Sequence, residues 1–172
     1  MLFLEETKAI IESLLFMSNE PLSLKQIEET TSFSQETIRE VLGELKKEYD
    51  QTYHGFHVIE VAGGYLFATK PQYDRYIEKL VKPQFNNLSH AALETLSIIA
   101  YKQPITRSEI ELIRGVKIDK IVSTLVEKNL IQELGRKEGP GRPIIYGTTN
   151  EFLLYFGLKD LSQLPPITSE DS

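Results

Sequence analysis

Cysteine and tryptophan are both absent from the 172-residue chain. Without cysteine there can be no disulfide, no thiolate-bound zinc and no cysteine nucleophile, and nothing calls for an oxidising compartment. Long apolar runs are missing too. The opening stretch Met1-Leu2-Phe3-Leu4-Glu5-Glu6 has no basic residue ahead of its apolar ones. It reads neither as a signal peptide nor as a membrane span, and a cytoplasmic setting is the expectation. Positive charge is scarce: 19 Lys and Arg face 25 Asp and Glu, a net charge of −6 with a pI near 5.2. Proteins that grip phosphates draw affinity from basic side chains that release counterions. The balance therefore favours protein partners over nucleic acid.

What the chain does contain is a repeat. Residues 19–27 read Asn-Glu-Pro-Leu-Ser-Leu-Lys-Gln-Ile, and residues 102–110 read Lys-Gln-Pro-Ile-Thr-Arg-Ser-Glu-Ile. At one offset of 83, Pro21 meets Pro104, Leu22 meets Ile105, Ser23 meets Thr106, Gln26 meets Glu109 and Ile27 meets Ile110. The same offset carries Ile38 onto Ile121 and Leu42 onto Leu125. Each proline stops the preceding helix, because it lacks the N–H and disfavours helical geometry before it. Ser23 or Thr106 then caps a new helix, and Gln26 or Glu109 reaches back to complete a capping box.

Around each copy the apolar spacing predicts the same order of elements. In the first, a helix at about 5–17 places Ile10, Ile11, Leu14 and Leu15 on one face, and a short helix follows at about 23–30. Ser34 caps a third helix at about 35–49, carrying Ile38, Val41, Leu42 and Leu45. The period then changes to two. Residues 56–61 and 65–69 read as strands around Ala62-Gly63-Gly64, and a helix at about 71–81 closes the copy. The second copy predicts helices at about 89–101, 106–113 and 118–128. Ser89 caps the first, Leu93, Leu96, Ile99 and Ala100 face inward, and Ile118, Ile121, Val122 and Leu125 are buried. Strands at about 130–134 and 143–148 and a helix near 150–156 complete it. Three helices followed by a β-hairpin form a winged helix. The expected fold is mainly α with small hairpins (α+β): tandem winged-helix domains at residues 1–82 and 88–160, then a flexible acidic tail at 161–172. The short linker Lys82–Asn87 has no Gly/Ser tract.

No residue set recommends catalysis. His54 and His57 stand three apart at the entrance to a strand, with no third ligand near in sequence. Gly139-Pro140-Gly141 falls inside a hairpin, away from the helix N-terminus that a phosphate-cradling loop needs. The serines have no histidine–carboxylate partnership. A protein without enzymatic activity, cofactor or metal is expected.

Winged helices commonly read DNA with the third helix and the wing. In copy one that helix sets Arg39, Lys46 and Lys47 against Glu36, Glu40, Glu44 and Glu48, a poor surface for a groove. Copy two is slightly basic, with Lys117, Lys120 and Lys128 against Asp119 and Glu127, and Arg136, Lys137 and Arg142 against Glu138. A tandem winged-helix transcription regulator thus stands as the alternative reading. In the first wing both faces are apolar, and Phe56, Val58, Tyr65 and Phe67 are candidates for a dimer interface. Coverage by the helix at 71–81 would serve the same end.

Longer stretches point to a family. Leu88-Ser-His-Ala-Ala-Leu-Glu-Thr-Leu-Ser-Ile-Ile-Ala-Tyr-Lys-Gln-Pro-Ile-Thr106, Ile113-Arg-Gly-Val116, Gly135-Arg-Lys-Glu-Gly-Pro-Gly-Arg-Pro-Ile-Ile-Tyr-Gly-Thr-Thr149 and Phe152–Leu158 resemble the segregation and condensation protein B (ScpB) family. Ile10–Phe16 and Glu20-Pro-Leu-Ser23 fit as well. The resemblance implies a non-catalytic subunit acting in chromosome condensation and segregation. It implies a homodimer joined through the first domains, with the second domains on the kleisin ScpA, which bridges the heads of the SMC ATPase. Association with DNA and the nucleoid would then be indirect, through the complex, and no membrane is involved. Among the motif positions, Tyr101, Lys102, Arg114, Arg136, Arg142 and Tyr146 combine apolar area with hydrogen-bonding capacity and are the candidate partner contacts.

Overall fold

A computed structural model describes residues 2–81 and 88–166. The linker at 82–87 and the end of the tail at 167–172 lie outside the described residues. The chain divides into two compact units, Met1–Gln84 with Leu158–Gln163, and Phe85–Gly157 with Leu164–Ser172.

The first unit runs α1 (Leu2–Met17), α2 (Leu24–Thr31), α3 (Gln35–Tyr49), β1 (Phe56–Val61), β2 (Gly64–Thr69) and, after a 3-10 turn at Pro71–Tyr73, α4 (Asp74–Val81). The second runs α5 (His90–Lys102), β3 (Ile105–Thr106), α6 (Arg107–Arg114), α7 (Asp119–Glu127), β4 (Ile131–Arg136), β5 (Ile144–Thr148) and α8 (Asn150–Phe156). Each is three helices and a wing, so the molecule is a tandem winged-helix protein of α+β class.

Both capping boxes form. The Gln26 N–H donates to Ser23 Oγ at 3.3 Å, and the Ser23 N–H donates back to Gln26 Oε1 at 2.9 Å. The corresponding distances for Glu109 and Thr106 are 3.3 and 2.8 Å. Ile27 and Ile110, one position beyond each box, are 1% and 0% exposed. The proline-to-cap segment does more than start a helix. Leu22 exchanges two main-chain bonds of 2.9 Å with Tyr65 of β2, while Ile105 pairs with Tyr146 of β5. The residue before each cap is therefore a short third strand, longer in the second unit, where the sheet order is β3-β5-β4. The spacing gave no sign of this strand, because two residues are too few to show a period.

The first core joins Ile11, Leu15, Ile27, Ile38, Val41, Leu42, Leu45 and Val58. The second buries Leu96, Ile99, Ile110, Ile118, Leu125 and Ile131. Each such side chain contributes about 1.5–3 kcal/mol on leaving water. Two expected inward residues turn outward: Ile10 and Leu93 are each 38% exposed. In α1 the buried positions are Thr7, Ile11 and Leu15, one turn apart, which rotates Ile10 to the edge. In α5, Thr95 takes the inward place expected for Leu93. Ile121 is half-buried rather than buried.

The wings differ. The first closes with a two-residue loop, Ala62 (φ 49°) and Gly63 (φ 73°), the left-handed pair that matches the strands' twist. The second bulges between Glu133 and Gly135, and its loop is longer. Part of the segment expected as flexible tail is structured: Leu161–Gln163 forms a 3-10 turn, and Leu158–Gln163 belongs to the first unit. Polar composition suggested a free end, but local hydrogen bonds organise it.

Gly64 lies against the Leu22 strand, where an added Cβ would stand 2.8 Å from the Pro21 carbonyl carbon and 2.9 Å from that of Leu22. Gly64→Ala is therefore expected to push the wing off the helices and cost about 1–3 kcal/mol in the first unit, read by chemical denaturation.

Candidate partner-binding surfaces

The first unit carries a groove lined mostly by apolar side chains. Where α1 ends beside α3 and the wing, Glu12, Ser13, Phe16, Met17, Tyr49, Phe56 and Phe67 line a groove of about 410 Å³. Its floor is aromatic: Tyr49 lies 5.2 Å from Phe56 and 4.9 Å from Phe67 between ring centroids, and Phe56 meets Phe67 edge-on at 5.2 Å. The Tyr49 hydroxyl donates to the Glu12 carboxylate, and this bond, with burial and the Glu12 charge, pushes its pKa up to about 12. The phenol stays neutral and acts as a fixed donor. Phe16 and Met17 stand at the rim, each 75% exposed. These two were missed in the sequence. The signal was the run Leu14-Leu15-Phe16-Met17: four consecutive apolar residues on a helix cannot all face one core.

The structure separates the four wing candidates. Phe56, 39% exposed, and the partly buried Phe67 line the groove. Val58 does not reach it, because at 2% exposure it belongs to the unit's own core. Tyr65 is engaged by its main-chain pairing with Leu22, and the Lys46 ammonium stands 5.9 Å from its ring centroid.

The six candidates of the second unit also part company. Arg114 turns inward, with a side chain only 13% exposed. Its guanidinium donates to the Ala91 carbonyl at 2.7 Å and to Thr95 Oγ1 at 2.8 Å, and it pairs with Glu94 at 2.8 Å. It fastens α6 to α5. Tyr146, 8% exposed, is the strand partner of Ile105, and burial, with the nearby Glu133 charge, raises its pKa. Neither is placed to meet a partner, and their polar atoms marked them as contacts only because internal bonds are invisible in sequence. Tyr101 is 40% exposed but donates its hydroxyl to the Pro165 carbonyl at 2.6 Å, and the adjacent Lys102 is exposed. Arg136 and Arg142 are exposed on the wing, where Arg136 donates to the Arg142 carbonyl at 3.1 Å. An apolar set went unnoticed at the C-terminal end of α6 and the turn beyond it: Leu112, Ile113 and Val116 are 85%, 49% and 52% exposed on either side of the left-handed Gly115.

Several charges around the third helices and the second wing are paired with acids. Lys137 pairs with Glu109 at 2.7 Å, Lys117 with Glu111 at 3.0 Å, and Arg107 bonds both Glu111 and Asp119. Lys8 pairs with Glu48 of α3. Among the described residues no three His, Asp or Glu side chains gather as a metal site, and no helix is long and apolar enough to cross a membrane. His90 pairs with Glu94 at 2.9 Å, and His57 faces Asp50 at 3.7 Å.

Two winged helices that carry an aromatic groove in one unit and exposed apolar side chains in the other offer surfaces of the kind that meet protein partners. The family described as segregation and condensation complex subunit ScpB matches residues 9–167, and the chain belongs to it. The segregation and condensation protein B of Symbiobacterium thermophilum is 50% identical over 165 residues, which is 96% of this chain and 75% of that one. That of Desulforamulus reducens is 49% identical over 166 residues, 96% of this chain and 92% of its own. A crystal structure of ScpB from Mycobacterium tuberculosis is similar at 29% identity over 90% of this chain and 97% of that one, with a TM-score of 0.44.

Two outcomes test this account. Arg114→Ala should cost roughly 1–3 kcal/mol, because it strands buried acceptors, and Arg114→Lys should recover only part, lacking the planar fork; urea unfolding reads both. Glu109 is held at a pKa of about 2 by its bonds from Lys137 and from Thr106. The folded state keeps this carboxylate ionised to lower pH than the unfolded chain does. Its contribution is present above the ordinary value of 4.5 and disappears as pH falls toward 2. Acid titration of Glu109→Gln should show that part of the stability profile flattened.

Proposed function

We propose that the chain is a non-catalytic subunit of the SMC–kleisin condensin-type complex, working in the cytoplasm on chromosome condensation and segregation by binding the kleisin ScpA. The observation that carries the proposal is family membership across residues 9–167, which takes in both winged helices. The surfaces agree with that role. The first unit, residues 1–82, supplies the homodimer contact through its aromatic groove and the Phe16–Met17 rim. In a two-fold dimer the same patch meets itself, so one exposed apolar surface per chain is enough. The second unit, residues 88–160, supplies the kleisin contact. Leu112, Ile113 and Val116 are its apolar anchors, with Tyr101, Lys102, Arg136 and Arg142 as polar ones. SMC is reached through ScpA, and the nucleoid through SMC.

A transcription regulator is the competing reading. Its requirement is positive charge on the third helix and wing: Lys117 and Lys137 are paired with acids, and Lys120, Arg136 and Arg142 are the exposed cations left to it.

Light scattering after size-exclusion chromatography tests the proposal. The chain alone should have the mass of a dimer, and it should co-elute with ScpA from the same organism. Phe16→Glu combined with Met17→Glu should weaken self-association roughly 30-fold or more while the fold persists. A chain that ignores ScpA but holds a duplex with steep salt dependence would favour the regulator.

A further inference from the structure

The second unit's last helix ends at Gly157, which turns left-handed at φ 64°. The next six residues belong to the first unit. The Ala62 N–H donates to the Leu158 carbonyl at 2.9 Å, and the Gly63 N–H donates to the Lys159 carbonyl at 3.1 Å. The Lys159 ammonium stands 2.8 Å from Glu60 Oε1. These are adjoining features of one structure, the tip of the first wing. The two central residues of a two-residue hairpin loop have N–H groups that the strand ladder does not use. Here both are satisfied by consecutive carbonyls of the same segment.

The segment is also organised to dock. The Lys159 N–H donates to Gln163 Oε1 at 2.6 Å, and the Ser162 N–H donates to Asp160 Oδ1 at 2.8 Å. These bonds curl the residues after Lys159 through a bend into the 3-10 turn. Its apolar anchoring is slight: Leu158 is half-buried, and residues 159–163 are exposed. An element held by two main-chain bonds and one exposed ion pair opens at low free energy.

We propose that the tip of the first wing is a docking site for a main-chain segment with two consecutive carbonyls and a basic side chain, occupied in cis by Leu158–Lys159 as a detachable strap. Two neighbouring N–H donors bind consecutive carbonyls, and Glu60 selects Lys or Arg at the second position. While the strap is on, the wing tip is closed to any other chain. This inference does not rest on ScpA binding.

The chain has no cysteine, so introduced thiols report cleanly. Full-length Ala62→Cys/Leu161→Cys, treated with a short bismaleimide, should give a monomer carrying one bridging linker. A covalent dimer would place the contact between chains, and two separate single adducts would remove it; either overturns the proposal. Amide exchange followed by NMR supplies the second measurement. Lys159→Glu should speed exchange at Ala62 and Gly63 on the order of fivefold, and adding Glu60→Lys should restore it. Rates unchanged by Lys159→Glu would overturn the strap.

Discussion

Each unit depends on a junction one residue wide, the position between the helix-stopping proline and the helix cap. Leu22 is zipped to Tyr65 by a pair of main-chain bonds, and Ile105 is paired to Tyr146. Immediately afterwards Ser23 or Thr106 closes a capping box. The wing is thus bonded to the very residue that starts the second helix. Without that junction, each hairpin would be an isolated two-stranded ribbon, which is marginal in water. With it, Val58 and its neighbours can close the core from the strand side.

The junction also gives Tyr65 and Tyr146 one meaning. Both sit on the second wing strand opposite the pre-cap residue. The apolar wing made Tyr65 a candidate dimer contact and its polar tip made Tyr146 a candidate partner contact, whereas the backbone of each is bonded or paired within the frame. Apolar surface that this frame leaves uncovered includes Phe16, Met17 and Phe56 in the first unit, and Leu112, Ile113 and Val116 in the second. The copies share a skeleton and diverge at the surface.

The helices, wings and caps were legible because their signals are local. The offset of 83 aligned both capping boxes, and the change from helical to alternating spacing marked both hairpins. Ile10 and Leu93 were misplaced because a wide apolar stripe does not say which of its edges meets the core. The candidate site was much less legible. Arg114 and Tyr146 carry the chemistry of interface residues, and only their bonds to Ala91, Thr95 and Ile105 show that they face inward. Leu112 and Phe16 were passed over because apolar residues on a predicted helix are assigned to the core by default.

The amino-acid sequence by itself determined the class of fold, its duplication and its kinship with the ScpB family. Prolines, caps, glycines and apolar periods act over a few residues, so order along the chain is enough to read them. Only the tertiary structure decided which polar groups are consumed internally. It alone brought Leu158–Lys159 to the turn at Ala62–Gly63, nearly a hundred residues earlier in the chain. Those contacts join main-chain atoms, which every residue carries alike, and so no pattern of side chains announces them.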